Sequence, residues 1–123
     1  MSKPKRLKSG EHVAEAHLRS ARMSARKARL VCDLIRGKGA SDALNILQVT
    51  HKPSACPDVL NLLKSAISNA SNLGYSKAED LVVATVFVDA STMQKRMRPA
   101  PMGRGVQIRK RSCHITIKLD SRN

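Results

Sequence analysis

Two apolar, β-rich runs, residues 81–88 and 112–119, are separated by a stretch that has no place in a core. Residues 93–111 read MQKRMRPAPMGRGVQIRKR. They hold seven cations (Lys95, Arg96, Arg98, Arg104, Arg109, Lys110 and Arg111) and no carboxylate. The centre, Pro99-Ala100-Pro101-Met102-Gly103-Arg104-Gly105, has the composition of a turn, because proline presets φ and glycine accepts positive φ. Turn chemistry between two β-rich runs predicts a long antiparallel hairpin. At ~3.3 Å per residue, arms of about ten residues beyond the core reach ~30 Å. A two-stranded ribbon of that length is marginal in water, so its outer part is expected to be fixed only by a partner. Seven like charges at this spacing repel one another until an anionic surface neutralises them, and a phosphate backbone does so most simply. A disordered basic tail is the competing reading. Tails seldom lie between two strand-like runs with a Pro/Gly turn at their centre.

The whole chain repeats the imbalance. Its 123 residues carry 23 Lys and Arg against 9 Asp and Glu, a formal charge of +14. Nucleic acid is the leading partner for such a balance. An anionic membrane surface usually demands a basic amphipathic helix with Trp or Phe on its apolar face, and this chain has no Trp, one Tyr and one Phe. The same scarcity argues against single-strand binding by base stacking and favours backbone and groove contacts with folded RNA or duplex. No apolar run approaches the ~20 residues needed to span a bilayer, so no membrane partner is expected. Residues 1–10 are basic but lack an apolar segment, which argues against a secretory signal. Residues 1–12 are expected to form a basic, flexible extension, and residues 13–123 a single domain with its extended hairpin at about 90–111. No homo-oligomer is expected.

Cys32, Cys56 and Cys113 are odd in number and show no paired spacing, which fits a reducing compartment. A zinc site wants a close Cys or His pair, and neighbours in a strand, such as Cys113 and His114, point to opposite faces. Neither a metal nor a cofactor is expected, and Cys32 and Cys113 read as small core residues.

The remaining elements are read from periodicity. Residues 17–23 are a short candidate strand. Ser24 reads as an N-cap for a helix over 25–36, ended by Gly37 or Gly39, with Ala28, Val31, Leu34 and Ile35 on its apolar face and Leu30 alongside. Arg26, Arg29 and Arg36 share another face of it. With Arg19 and Arg22 they are candidate RNA contacts, the alternative being an ordinary solvated face. Ser41 can cap a second helix over 42–49. A third runs to about residue 72 with Gly74 as its stop, and Pro57 obscures its start. Its stripe is Val59, Leu60, Leu63, Ala66, Ile67 and Ala70. The apolar density of residues 80–89 predicts a central strand, and residues 112–119 alternate cleanly. The fold class is therefore α+β: three helices packed on a small three-stranded antiparallel sheet, with one long extended β-hairpin.

Several of these stretches together resemble one family. They are Ser24-Ala25-Arg26-Lys27-Ala28-Arg29-Leu30-Val31, Asp33-Leu34-Ile35-Arg36-Gly37-Lys38, Leu63-Lys64-Ser65-Ala66-Ile67-Ser68-Asn69-Ala70, Val86-Phe87-Val88-Asp89, and the basic run from Lys95 through Gly103-Arg104 to Arg109-Lys110-Arg111 and His114-Ile115-Thr116. In this order, over about residues 13–119, the chain is similar to the bacterial-type large-subunit ribosomal protein L-twenty-two family. The resemblance implies a body on the subunit surface near the peptide exit and a hairpin that threads ribosomal RNA to line the tunnel. Its implied partners are large-subunit ribosomal RNA, neighbouring ribosomal proteins and, at the hairpin tip, the nascent peptide. Carried over by position, the RNA-contacting arms include Lys95, Arg96, Arg98, Arg104, Arg109, Lys110 and Arg111. The tunnel-facing tip falls at Met93, Gln94, Lys95, Arg96, Met97 and Arg98. The expected location is the ribosome of the cytoplasm, with an organellar ribosome as the alternative. The chain departs from the family pattern at Ala90-Ser91, Gln94, Ala100 and Cys113.

Two other classes compete. A small ribonuclease needs paired histidines, or a histidine with a carboxylate, near a cation, and no motif gathers His12, His17, His51 and His114. A free architectural DNA-binding protein also uses basic β-ribbons, but the chain shows no dimer-forming segment.

Overall fold

The computed structural model describes residues 14–51, 55–75, 78–99, 101–103 and 105–121. The N-terminal extension expected at 1–12 lies outside the described residues. The elements in chain order are β1 (Ala14–Ala21), α1 (Ala25–Ile35), α2 (Ala40–Val49), α3 (Cys56–Asn72), β2 (Leu81–Ala90), β3 (Gln94–Pro99), β4 (Gly105–Lys110) and β5 (Cys113–Ser121). The main sheet has the order β1-β5-β2, all antiparallel, and β3 and β4 form a separate two-stranded ribbon. The α+β class with three helices and a three-stranded sheet is as expected. No helix of the described residues is long and apolar enough to cross a membrane.

The core is set by the two periodicities. Alternate residues of β5 (Cys113, Ile115, Ile117 and Leu119) are completely buried, and Leu81, Val83, Val86 and Val88 of β2 join them. Against this face lie Ala28, Val31, Cys32 and Ile35 of α1 and Val59, Leu63, Ala66 and Ala70 of α3. The open face of the sheet is polar. His17 Nδ1 lies 3.1 Å from Thr116 Oγ1, and the Lys118 ammonium sits 5.9 Å from the centre of the Phe87 ring.

Four expectations need correction. The central strand is β5, not the residue 80–89 segment, which is an edge. Its apolar density reflects one face buried on the core, and strand order is a tertiary property that local hydropathy does not encode. Leu30 and Leu34 are exposed (58% and 43%), because the buried stripe of α1 runs through Cys32 instead. α2 begins at Ala40 with Gly39 at its cap, and Ser41 is already inside the helix. Gly39 also forms an isolated antiparallel bridge with Val82 of β2. Finally, the hairpin is not one continuous ladder. Pairing breaks between Ala90↔Cys113 and Gln94↔Lys110, so the free ribbon has two six-residue arms, roughly 20 Å long.

Other local expectations hold. The Ser24 hydroxyl accepts from the Lys27 amide at 3.4 Å and caps α1. Gly37 (φ +77°) ends that helix, and Gly74 (φ +102°) comes just after the end of α3. Left-handed backbone is where glycine alone carries no side-chain penalty. α3 starts at Cys56 with Pro57 in its first turn, where a missing N–H costs nothing.

The cysteines are buried and unpaired. Burial pushes the Cys32 thiol up to about 12, opposed by the nearby Arg36 guanidinium, and burial also raises Cys113, opposed by Arg29. An acid whose folded pKa is raised binds its proton more tightly when folded. Above about pH 9, the ordinary thiol value, the unfolded chain therefore loses protons that the folded chain keeps, and stability falls as pH rises. The urea midpoint is expected to drop between pH 8 and pH 10, and to drop less in Cys32→Ala. An equal drop in both would show that this thiol carries none of the effect.

Candidate nucleic-acid interface

The basic ribbon stands on the corner between β2 and β5. Its register pairs Gln94↔Lys110, Lys95↔Arg109, Arg96↔Ile108, Met97↔Gln107, Arg98↔Val106 and Pro99↔Gly105. Residues directly opposite share a face, and successive residues alternate. One face therefore carries Arg96, Arg98 and Lys110, and the other Lys95 and Arg109. All five are exposed. The ion pairs of the described residues are His17–Glu15, Arg36–Asp33 and Lys118–Glu15, and none reaches the ribbon. Cations thus stand on both faces of the ribbon, outside the ion pairs of the described residues.

The distal turn lies at Pro101–Gly103, where Met102 (φ +67°) and Gly103 (φ +72°) are both left-handed. Met93 to Arg98, assigned from the resemblance to the tip, therefore lie before the turn: Gln94–Pro99 form the outgoing arm, and Met93 sits at its root. The tip itself exposes Met102 almost fully (96%), and Met97 on the arm is 71% exposed. Arg104 lies outside the described residues.

The arginines of the body divide into two groups. Arg19, Arg22 and Arg26 are exposed. Arg29 and Arg36 are partly committed to the fold. Arg29 Nη2 donates to the Val88 carbonyl at 3.0 Å and Arg36 Nη2 to the Val86 carbonyl at 2.9 Å, while Arg36 Nη1 also pairs with Asp33. Beside them, the Gly37 amide donates to the Val83 carbonyl, and the Val83 amide donates to the Lys38 carbonyl. These contacts lie along the side of β2 that, among the described residues, has no partner strand.

A cleft of about 870 Å³ opens where the ribbon leaves the body. Arg22 and Lys27 line it from the β1–α1 corner, and Arg96, Arg109, Lys110 and Arg111 line it from the ribbon. Lys27 is the one cation here that the sequence did not single out. It is adjacent to Arg26 but on a different side of α1, and only the position of the ribbon makes that side significant. The corner is shaped by Ser20, whose φ of +56° marks the irregularity in the β1–β5 register, and whose amide donates to His114 Nδ1 at 3.0 Å. The two described histidines of the sheet, His17 and His114, are held in separate hydrogen bonds. Among the described residues no group of His, Cys, Asp and Glu could hold a metal ion.

The family model described as ribosomal protein L22p/L17e matches residues 16–120. The chain belongs to this family. Its similarity to the large ribosomal subunit protein uL22 of Herpetosiphon aurantiacus is 49% identity over 108 residues, 87% of this chain and 94% of that one. The uL22 proteins of Geobacter metallireducens and Citrifermentans bemidjiense are 48% and 47% identical over 106 residues, each covering 86% of this chain. The L22p/L17e match spans the body and the whole basic ribbon, so the cations on both ribbon faces lie within the region of family likeness.

Proposed function

We propose that the chain is a structural constituent of a bacterial-type large ribosomal subunit in the cytoplasm, where it binds the subunit's RNA and meets neighbouring ribosomal proteins. The role is architectural, not catalytic. The observation that carries it is the ribbon with cations on both faces and, among the described residues, no carboxylate paired with them, in a chain of the L22p/L17e family. Arginine suits the task because its planar fork grips two phosphate oxygens at once. RNA contact is assigned to Lys95, Arg96, Arg98, Arg104, Arg109, Lys110 and Arg111 on the hairpin, and to Arg19, Arg22 and Arg26 on the body. Arg29 and Arg36 keep free donors for the same purpose beyond their carbonyl bonds.

The finer reading is that the hairpin passes between RNA segments, with its distal turn reaching the path of the nascent peptide. The support is at the tip. A non-glycine residue in left-handed conformation is strained, and strain tends to mark function. Met102 combines that backbone with a flexible, polarizable and nearly fully exposed side chain, of the kind that adapts to varied partners.

The test is sedimentation of lysate through sucrose at moderate salt, with subsequent detection of this chain. Co-migration with the large subunit, lost on ribonuclease treatment, is the expected result. Migration as a free small protein, or with DNA, would overturn the reading.

A further inference from the structure

The ribbon meets the body at a joint. Between Ala90↔Cys113 and Gln94↔Lys110, three residues (91–93) face two (111–112). Such a bulge breaks the ladder and re-aims the strands beyond it. The bonds that cross it are Ser91 N to Ser112 O at 3.0 Å and Ser112 Oγ to Thr92 O at 2.7 Å. Two hydrogen bonds are a weak brace for arms six residues long.

The cleft straddles this joint. One wall belongs to the body and carries Arg22 and Lys27. The other belongs to the ribbon and its root and carries Arg96, Arg109, Lys110 and Arg111. Ser20, Ser24, Ser91 and Ser112 add hydroxyls, and among the described residues no carboxylate lines the space. Arg96 and Lys110 share the ribbon face on this side, and with Arg22, Lys27 and Arg111 around the same concavity the walls focus a positive field on whatever enters. The first turn of α1, which opens here, also lacks an acidic residue, so its amide ends add to the same field. The volume is that of a ligand pocket, but the walls are cations and hydroxyls instead of the apolar and aromatic side chains such pockets usually have. Among the described residues no aromatic side chain lines it to stack a base. The lining fits a sugar-phosphate backbone.

We propose that this cleft seats a phosphodiester segment of folded RNA, gripped from both walls at once, and that the segment fixes the angle of the hairpin to the body. The proposal rests on the RNA-binding role above. A phosphodiester is favoured over an acidic peptide because the cleft is continuous with the cations on both ribbon faces, so one polyanion can occupy them all.

The test uses the full chain and bacterial large-subunit ribosomal RNA. Lys27→Ala and Lys110→Ala, from opposite walls, are each expected to lower affinity roughly tenfold and to remove about one from the log–log salt slope. Because both grip one segment, the double variant loses less than the product of the two. A second readout is the distance between spin labels at Asn45→Cys on α2 and Gln107→Cys on β4, the native thiols being buried. The distribution is expected to narrow when RNA binds, and to stay broad in the saturated double variant. Losses that simply multiply, with the distance fixed in both proteins, would overturn the proposal, as would equal narrowing by polyglutamate. Failure of the RNA role itself would look different: RNA binding would then survive alanine at Arg109, Lys110 and Arg111 together.

Discussion

Replacing Arg109, Lys110 and Arg111 together by alanine lowers affinity for large-subunit ribosomal RNA by roughly two to three orders of magnitude near physiological salt. Each phosphate neutralised contributes about 0.9 to the dependence of log affinity on log salt. The variant's slope should therefore be shallower by about three, in a titration between low and moderate salt. The size of the effect comes from position: Arg109 and Lys110 end β4, Arg111 begins the joint, and all three are exposed and line the cleft. None belongs to the core, so thermal unfolding is expected to match that of the unaltered chain. An unchanged slope would remove these residues from the interface, and a lowered melting temperature would turn the loss into a folding effect.

Ile117→Ala has the largest expected effect on stability. Ile117 is fully buried in the central strand, with Ala16 opposite on β1 and Val86 opposite on β2. Truncating such a side chain removes its transfer free energy and leaves a cavity, at a cost of about 2–5 kcal/mol. A domain of this size typically has ~5–15 kcal/mol in all, so the melting temperature should fall by roughly 10–25 °C in calorimetry. The neighbouring Thr116→Ala, on the opposite face, removes the contact with His17, and its cost is nearer to 1 kcal/mol. If Thr116→Ala proved as harmful as Ile117→Ala, the helix-covered face of β5 would not be the one that carries the core.

What could be read from the sequence was what is local. The 2.0-residue alternation of residues 112–119 named the four completely buried side chains of β5. The Ser24 cap and the Gly37 stop bounded α1 to within a residue. The Pro/Gly centre of the basic stretch placed the turn between β3 and β4. What escaped depends on distant partners. Strand order put β5 in the middle because β1, nearly a hundred residues earlier, pairs with it. The joint escaped because residues 91–93 and 111–112 look like strand continuations until their unequal count is seen across the ladder. Lys27 escaped for the same reason: a helix face acquires meaning only from what stands opposite. Sequence spacing correctly grouped Arg29 and Arg36 on one face, but could not show that the carbonyls of Val88 and Val86 lie within their reach.

Those two arginines bear on the life of the chain before it meets RNA. An unpaired strand edge is a template for the edge of another copy. Here the outer edge of β2 is met by two guanidinium groups and by the backbone of Gly37 and Lys38, so its carbonyls at Val83, Val86 and Val88 are already occupied. A newly made, highly charged chain thus carries its own guard against sheet-to-sheet aggregation while it is still a free protein in transit. Exchanging Arg29 or Arg36 for lysine would preserve the charge but give up the planar fork that fits this duty.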